Sequence, residues 1–102
     1  ELEQLQNMVG RVVEMVTNSI DAFVHDDEAL ANQVIQNDNT VNQEFDTIKI
    51  DLMTYFSGND VDGEHAIDVL MVAKYIERIG DHTVNIAKWV IFSITGQLDG
   101  EN

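Results

Sequence analysis

Cysteine and proline are both absent from the 102 residues. Without cysteine there is no disulfide and no thiolate metal site, which fits a reducing compartment. Basic residues are scarce: 5 Lys and Arg stand against 19 Asp and Glu, a formal net charge of −14. Such a surface repels nucleic acid, whose binding needs many cationic side chains to neutralise phosphates. It also disfavours direct contact with anionic membrane, and it attracts cations and basic partners. Long apolar runs are missing too. None approaches the roughly 20 residues that span a bilayer, so membrane insertion is not expected. No signal-peptide pattern is visible. The first residue is Glu, and Leu2 already belongs to a helical pattern, which predicts a chain cut from a longer one.

What is present is helical periodicity. Leu2, Leu5, Val9, Val12, Val16, Ile20 and Phe23 recur at steps of three and four, the mark of an amphipathic helix. This helix should end near His25-Asp26-Asp27, with Asp26 or Asp27 capping the next one and Glu28 favourable in its first turn. Leu30, Val34, Val41, Phe45, Ile48, Leu52 and Tyr55 form the second stripe. Residues 57–63, Ser-Gly-Asn-Asp-Val-Asp-Gly, read as a loop. A third helix runs to Thr95, with Gly96 as its stop. Its apolar side includes Ala66, Val69, Leu70, Ala73, Ile76, Val84, Ala87, Ile91 and Ile94. Trp89, Phe92 and Tyr75 read as packing residues. No strand signal competes. The pattern predicts one all-α domain over residues 1–102: an elongated, antiparallel, up-down-up three-helix bundle with helices at about 1–25, 28–57 and 64–95.

Polar residues interrupt two of these stripes. The second stripe calls for an apolar side chain at position 38 and has Asp38, with Asn42 one turn later. In the third helix Glu77, Asp81 and Asn85 recur every four residues beside the apolar face, with Gly80 among them. Antiparallel pairing about a loop near residue 60 brings the two polar interruptions to one level. The same arithmetic across the first turn places Arg11 and Glu14 near it. Three carboxylates in a partly buried seam repel one another, and burying an unpaired charge costs several kcal/mol. Two arrangements relieve this. Arg11, Arg78 or Lys74 neutralises the row, or a bound cation does. Oxygen donors without thiolates suit hard ions: Mg²⁺, Ca²⁺, Mn²⁺ or iron. The metal candidates are therefore Glu77, Asp81 and Asp38, with Asn42, Asn85 and His82 behind them. Gly80, which costs about 1 kcal/mol relative to Ala inside a helix, either lets two helices approach or clears space at the acidic row.

Other chemistries are set aside. Residues 58–63 partly mimic a calcium loop, but Gly58 and Val69 stand where its first and twelfth ligands belong. No Glu-x-x-His pair of the di-iron type occurs, and there is no phosphate-cradling glycine loop. No nucleophile with a base stands out, so no catalytic residue is assigned.

The stretch Glu77-Arg78-Ile79-Gly80-Asp81-His82-Thr83-Val84-Asn85-Ile86-Ala87, followed by Trp89-Val90 and Thr95-Gly96, resembles the PhoU family of phosphate-uptake regulators. Asp38-x-x-Val41-Asn42 is similar to that family's middle helix. The resemblance spans one repeat, most like the C-terminal of the family's two. It implies a three-helix repeat whose ExxxD motif, here Glu77 and Asp81, binds metal clusters, with Asp38 at the matching acidic position. It also implies a non-enzymatic adaptor that restrains phosphate uptake and the phosphate-starvation response. Its partners would be the ATPase of a phosphate ABC transporter and a sensor histidine kinase. Its place would be the cytoplasm, peripheral at the inner face of the membrane. Two departures stand out. Only one repeat is present, which raises pairing of the chain with itself as a homo-oligomer. Lys88 also stands where the family often has an acid. The rival readings are a metal-binding bundle for storage or redox chemistry, and a structural interaction bundle without ligand.

Overall fold

The computed structural model describes residues 2–56 and 63–96. Three helices follow in order: α1 Leu2–His25, α2 Glu28–Phe56 and α3 Gly63–Thr95. Each packs on the other two, in an elongated body of 55 × 26 × 16 Å. Residues 57–62 of the proposed loop, and with them the calcium-loop mimic up to residue 62, lie outside the described residues, as does the side chain of Tyr55; Gly63, expected in the loop, opens α3.

The α1–α2 turn is set by two aspartates. Asp26 takes the left-handed conformation, φ 50°, which Asp tolerates better than most residues. The Asp27 N–H then reaches back to the Ala22 carbonyl at 2.9 Å, closing α1 in a Schellman arrangement. Asp27 next turns its Oδ1 to the Leu30 N–H at 3.0 Å, the N-cap bond expected of an aspartate there. At the far end Gly96, φ 76°, donates its N–H to the Phe92 carbonyl at 2.7 Å and stops α3.

The core is a seam along the bundle axis. α2 supplies Val34, Val41, Phe45, Ile48 and Leu52, matching its periodicity. α3 supplies mostly small residues, Ala66, Ala73, Gly80, Thr83 and Ala87 among them. In α1 the expected stripe is misphased. Met8, Val12, Met15, Ser19 and Ala22 are buried, whereas Val9, Ile20 and Phe23 are exposed. α1 carries two apolar rows about a third of a turn apart, and the row with more flexible and smaller side chains is the one that fits between α2 and the small-residue face of α3. Buried Ser19 satisfies its hydroxyl on the Val16 carbonyl at 2.8 Å, so its place in the core leaves no donor unpaired. Tyr75 and Trp89 also depart from expectation: both are exposed, as is Ile94. None of the three helices, over the described residues, is long and apolar enough to cross a membrane.

Candidate acidic site between the second and third helices

The polar interruption at position 38 meets α3 at Gly80. A Cβ on Gly80 would lie 3.3 Å from Asp38 Oδ1 and 3.7 Å from both Val12 Cγ2 and Val41 Cγ1. All three helices therefore converge on this glycine, and close approach is what its missing side chain permits. Thr83, buried one turn along, donates its hydroxyl to the Gly80 carbonyl at 2.7 Å. The sequence reading did not single out Thr83. A threonine three residues after a buried glycine was the available sign.

Asp38 is the strained member. Its Oδ1 is buried and has no hydrogen-bond partner. Its Oδ2 accepts a long bond, 3.4 Å, from Asn42 Nδ2. Burial pushes the Asp38 carboxyl above its ordinary value of 3.8, and the charges of Asp81 and Glu77 push it the same way. The Asn42 bond and the Lys88 ammonium act in the opposite direction, favouring the ionised form. Asp38, Glu77 and Asp81 thus share one electrostatic neighbourhood. Lys88, which entered the sequence reading only as a departure from a family pattern, serves here as a counter-charge to Asp38.

The remaining residues divide. Glu77, with 13% of its side chain exposed, is paired to Lys74 at 2.8 Å. Asp81, His82 and Asn85 are exposed, and Asn42 is half-buried. Arg11, expected near this layer, instead bonds Glu44 through Nε at 2.9 Å, because the polar side of α1 turns toward the middle of α2. Arg78 lies over the Tyr75 ring, 5.9 Å from its centroid. Of the three cationic residues considered for the row, Lys74 is the one with a contact there.

A hard cation fits this site in donor chemistry. The available atoms are carboxylate and amide oxygens, and one buried oxygen lacks a partner. Among the described residues, no three His, Asp or Glu side chains are grouped closely enough to hold an ion as the side chains stand. The Glu77 carboxylate is already engaged by Lys74.

The profile of the PhoU domain family matches residues 5–90. A Pseudomonas aeruginosa protein described as "Phosphate-specific transport system accessory protein PhoU homolog" is 33% identical over 93 residues, which are 91% of this chain and 38% of that protein. The Burkholderia homologue of the same description is 32% identical over 90% of this chain and 39% of its own length. That of Clostridium acetobutylicum is 31% identical over 94% of this chain and 44% of its own. The chain spans about two fifths of the length of these relatives. No solved structure matches it significantly. With Asp38, Gly80, Glu77 and Asp81 all inside the matched segment, and with relatives of one description aligned across nine-tenths of the sequence, the chain belongs to the PhoU family.

Proposed function

We propose that this chain is a non-catalytic regulator of phosphate transport, acting by contact with other proteins to restrain phosphate uptake and the phosphate-starvation response. The observation that carries the reading is the alignment of nine-tenths of the chain with proteins described as accessory to the phosphate-specific transport system. The geometry agrees with it. α3 combines an acidic row and an exposed apolar row on a rigid helix of 33 residues, which suits recognition, and the acidic surface favours basic partner surfaces. The partners in this reading are the ATPase subunit of a phosphate ABC transporter and a sensor histidine kinase, met in the cytoplasm at the membrane face. A pull-down with the immobilised chain against these two proteins from the same organism is the test. Retention of either, reduced by high salt, is the expected result. Retention of neither at low salt would remove the adaptor reading.

The acidic site adds a second element, the binding of a hard cation such as Mg²⁺, Mn²⁺, Ca²⁺ or iron by Asp38, Glu77 and Asp81, with Asn42, Asn85 and His82 as auxiliary donors. The orphaned Asp38 Oδ1 favours it. When bound, the ion would supply the positive charge that Asp38 lacks. Asp81→Asn separates this from simple ion pairing. Each cation that binds should raise the melting temperature of the parent protein by mass action, and Asp81→Asn should lose that increment. A parent protein indifferent to every cation would leave the row to Lys74 and Lys88 alone.

A further inference from the structure

α1 contains a glycine that the bundle does not use. Gly10 lies inside the helix, without the positive φ of Gly96, where glycine is less favourable than alanine. Gly80 has its reason in Asp38, Val12 and Val41 packed against it, but a Cβ on Gly10 would meet nothing within 4 Å. Neither a turn nor a neighbouring helix requires it. Its bare backbone instead lines a surface hollow of about 300 Å³, together with Gln6, Arg11, Glu14 and Glu44. A second hollow, of about 240 Å³, adjoins the first and shares Asn7 and Glu44 with it. Gln4, Thr40, Gln43 and Thr47 complete its wall. The two form one groove along α1 and α2, with no residue of α3 in its walls. From Gln4 to Glu14 it follows ten residues of α1, roughly 15 Å.

Neither hollow is lined by a Val, Leu, Ile, Met or aromatic side chain, so an apolar partner gains little there. Amides, hydroxyls and charges make the walls. Gln4 keeps a buried Oε1 without a partner, and a turn of its amide toward an incoming N–H would satisfy that oxygen. Arg11 engages Glu44 Oε1 through Nε at 2.9 Å. Glu14 and Glu44 outnumber that one cation, in a chain of net charge −14. The groove therefore selects a group with positive charge and many N–H donors. A guanidinium suits it best, because its planar fork of donors serves a carboxylate and an amide oxygen at once. The bare backbone at Gly10 lets another helix approach closely, with Glu14 one turn beyond on the same face. A straight groove of roughly 15 Å accepts about ten residues of such a helix.

We infer that the α1–α2 groove docks a cationic helix of a partner protein, with an arginine side chain of that helix seated over Gly10 between Glu14 and Glu44. This contact face is separate from α3 and its acidic site. It deepens the adaptor reading by naming the chemistry that a partner must present, and rests on that reading only for which protein supplies the helix. Polar walls make the contact salt-sensitive, since its charges stay close to water.

The probe is a helical, alanine-based peptide with arginine at every fourth position, and its control carries glutamine at those positions. Titrated into the isotope-labelled chain, the arginine peptide should shift the Gly10 N–H and the side-chain amides of Asn7 and Gln43 ahead of other resonances. The glutamine peptide should not. Gly10→Gln fills the groove without changing the charge. It should weaken the peptide by roughly tenfold, while the melting temperature holds or rises, because the added Cβ meets nothing and glycine is a poor helix former. Glu14→Gln should weaken the peptide several-fold and flatten its salt dependence. Asp68→Asn, an equal loss of charge at an exposed position of α3, should not. Shifts spread over the acids of all three helices overturn the inference, as does a Gly10→Gln chain that binds like the parent. Spermidine bound as tightly as the peptide assigns the groove to a small polycation and overturns it equally. Pull-down of the transporter ATPase and the sensor kinase separates this from the adaptor reading. If neither is retained while the peptide still binds at Gly10, the adaptor reading falls and the groove stands. If the Gly10→Gln chain retains either as well as the parent does, the groove falls and the adaptor reading stands.

Discussion

α3 turns two opposed edges to its surroundings, and they fail in opposite ways to reach a low free energy. Toward α2 it presents Asp81 and Glu77 to Asp38, so charge lies near a half-buried carboxylate whose buried Oδ1 has no partner. Toward α1, on the other side of the same turns, it presents Ile79, Ile86 and Trp89 to solvent. The first edge buries what water would stabilise; the second exposes what a core would. Gly80 sits between them, and its missing Cβ allows the helices to close despite Asp38. A chain under selection for stability alone would exchange these features. Their coexistence on one helix points to contacts outside the isolated bundle.

The sharpest break of this comparison comes at Gly80. Gly80→Leu places a branched side chain against Asp38, Val12 and Val41, and should destabilise the bundle by about 3 kcal/mol, read from urea unfolding. Gly80→Ala is the informative contrast. Its gain of about 1 kcal/mol in helix propensity is offset by the need for Asp38 to move a few tenths of an ångström, and a change larger than that gain in either direction would show the close approach misjudged.

Next in size is Asp38→Asn, which should stabilise the metal-free protein at neutral pH by on the order of 1 kcal/mol, because it removes a charge held among like charges. The sign follows from linkage. The folded carboxyl binds its proton above the ordinary value of 3.8, so between that value and the raised one the native state holds more protons than the unfolded chain. The contribution of Asp38 to stability therefore falls as pH rises through this window and is flat on either side. Melts of parent and variant across the acid range should converge below the window and separate above it. Parallel curves would place the burden elsewhere.

Smaller effects come from the ion pairs. Arg11→Met should cost about 0.5 kcal/mol, since the Arg11–Glu44 bond is partly exposed and screened. Lys74→Met should cost about as much: half of the Lys74 side chain is exposed, but the Glu77 carboxylate it leaves behind has only 13% of its side chain exposed. In the cation reading, the same change should strengthen the thermal response to Mn²⁺ or Mg²⁺, and a weakened response would count against that reading.

The three helices and their caps were legible because periodicity, Asp27 and Gly96 all speak locally. So was the polar break at Asp38, since one acid in an otherwise apolar stripe stands out without any knowledge of packing. The burial of α1 was not legible. Val9, Ile20 and Phe23 are more hydrophobic or larger than Ser19 and Ala22, yet they lie outside. Hydrophobicity reports that a face will be covered, not by which neighbour. Only the small-residue face of α3 decides that a thinner row of α1 fits against it. The outward positions of Tyr75 and Trp89 were misread for the same reason. At the acidic site, the sequence offered three cations for the row but not their allocation, which depends on side-chain reach. Arg11 is drawn off by Glu44 on a helix far away in sequence.

The pairing of Lys74 with Glu77 has a consequence in terms of competition. An ammonium tethered three residues away cannot be diluted or removed by a chelator. Its effective concentration at the carboxylate, on the order of millimolar or higher for so short a tether, is fixed by covalent geometry. A cation arriving from solution faces a resident rival whose supply never changes. In the cation reading, the row would respond to the concentration of the visitor alone, with a threshold set by the position of Lys74 beside Glu77.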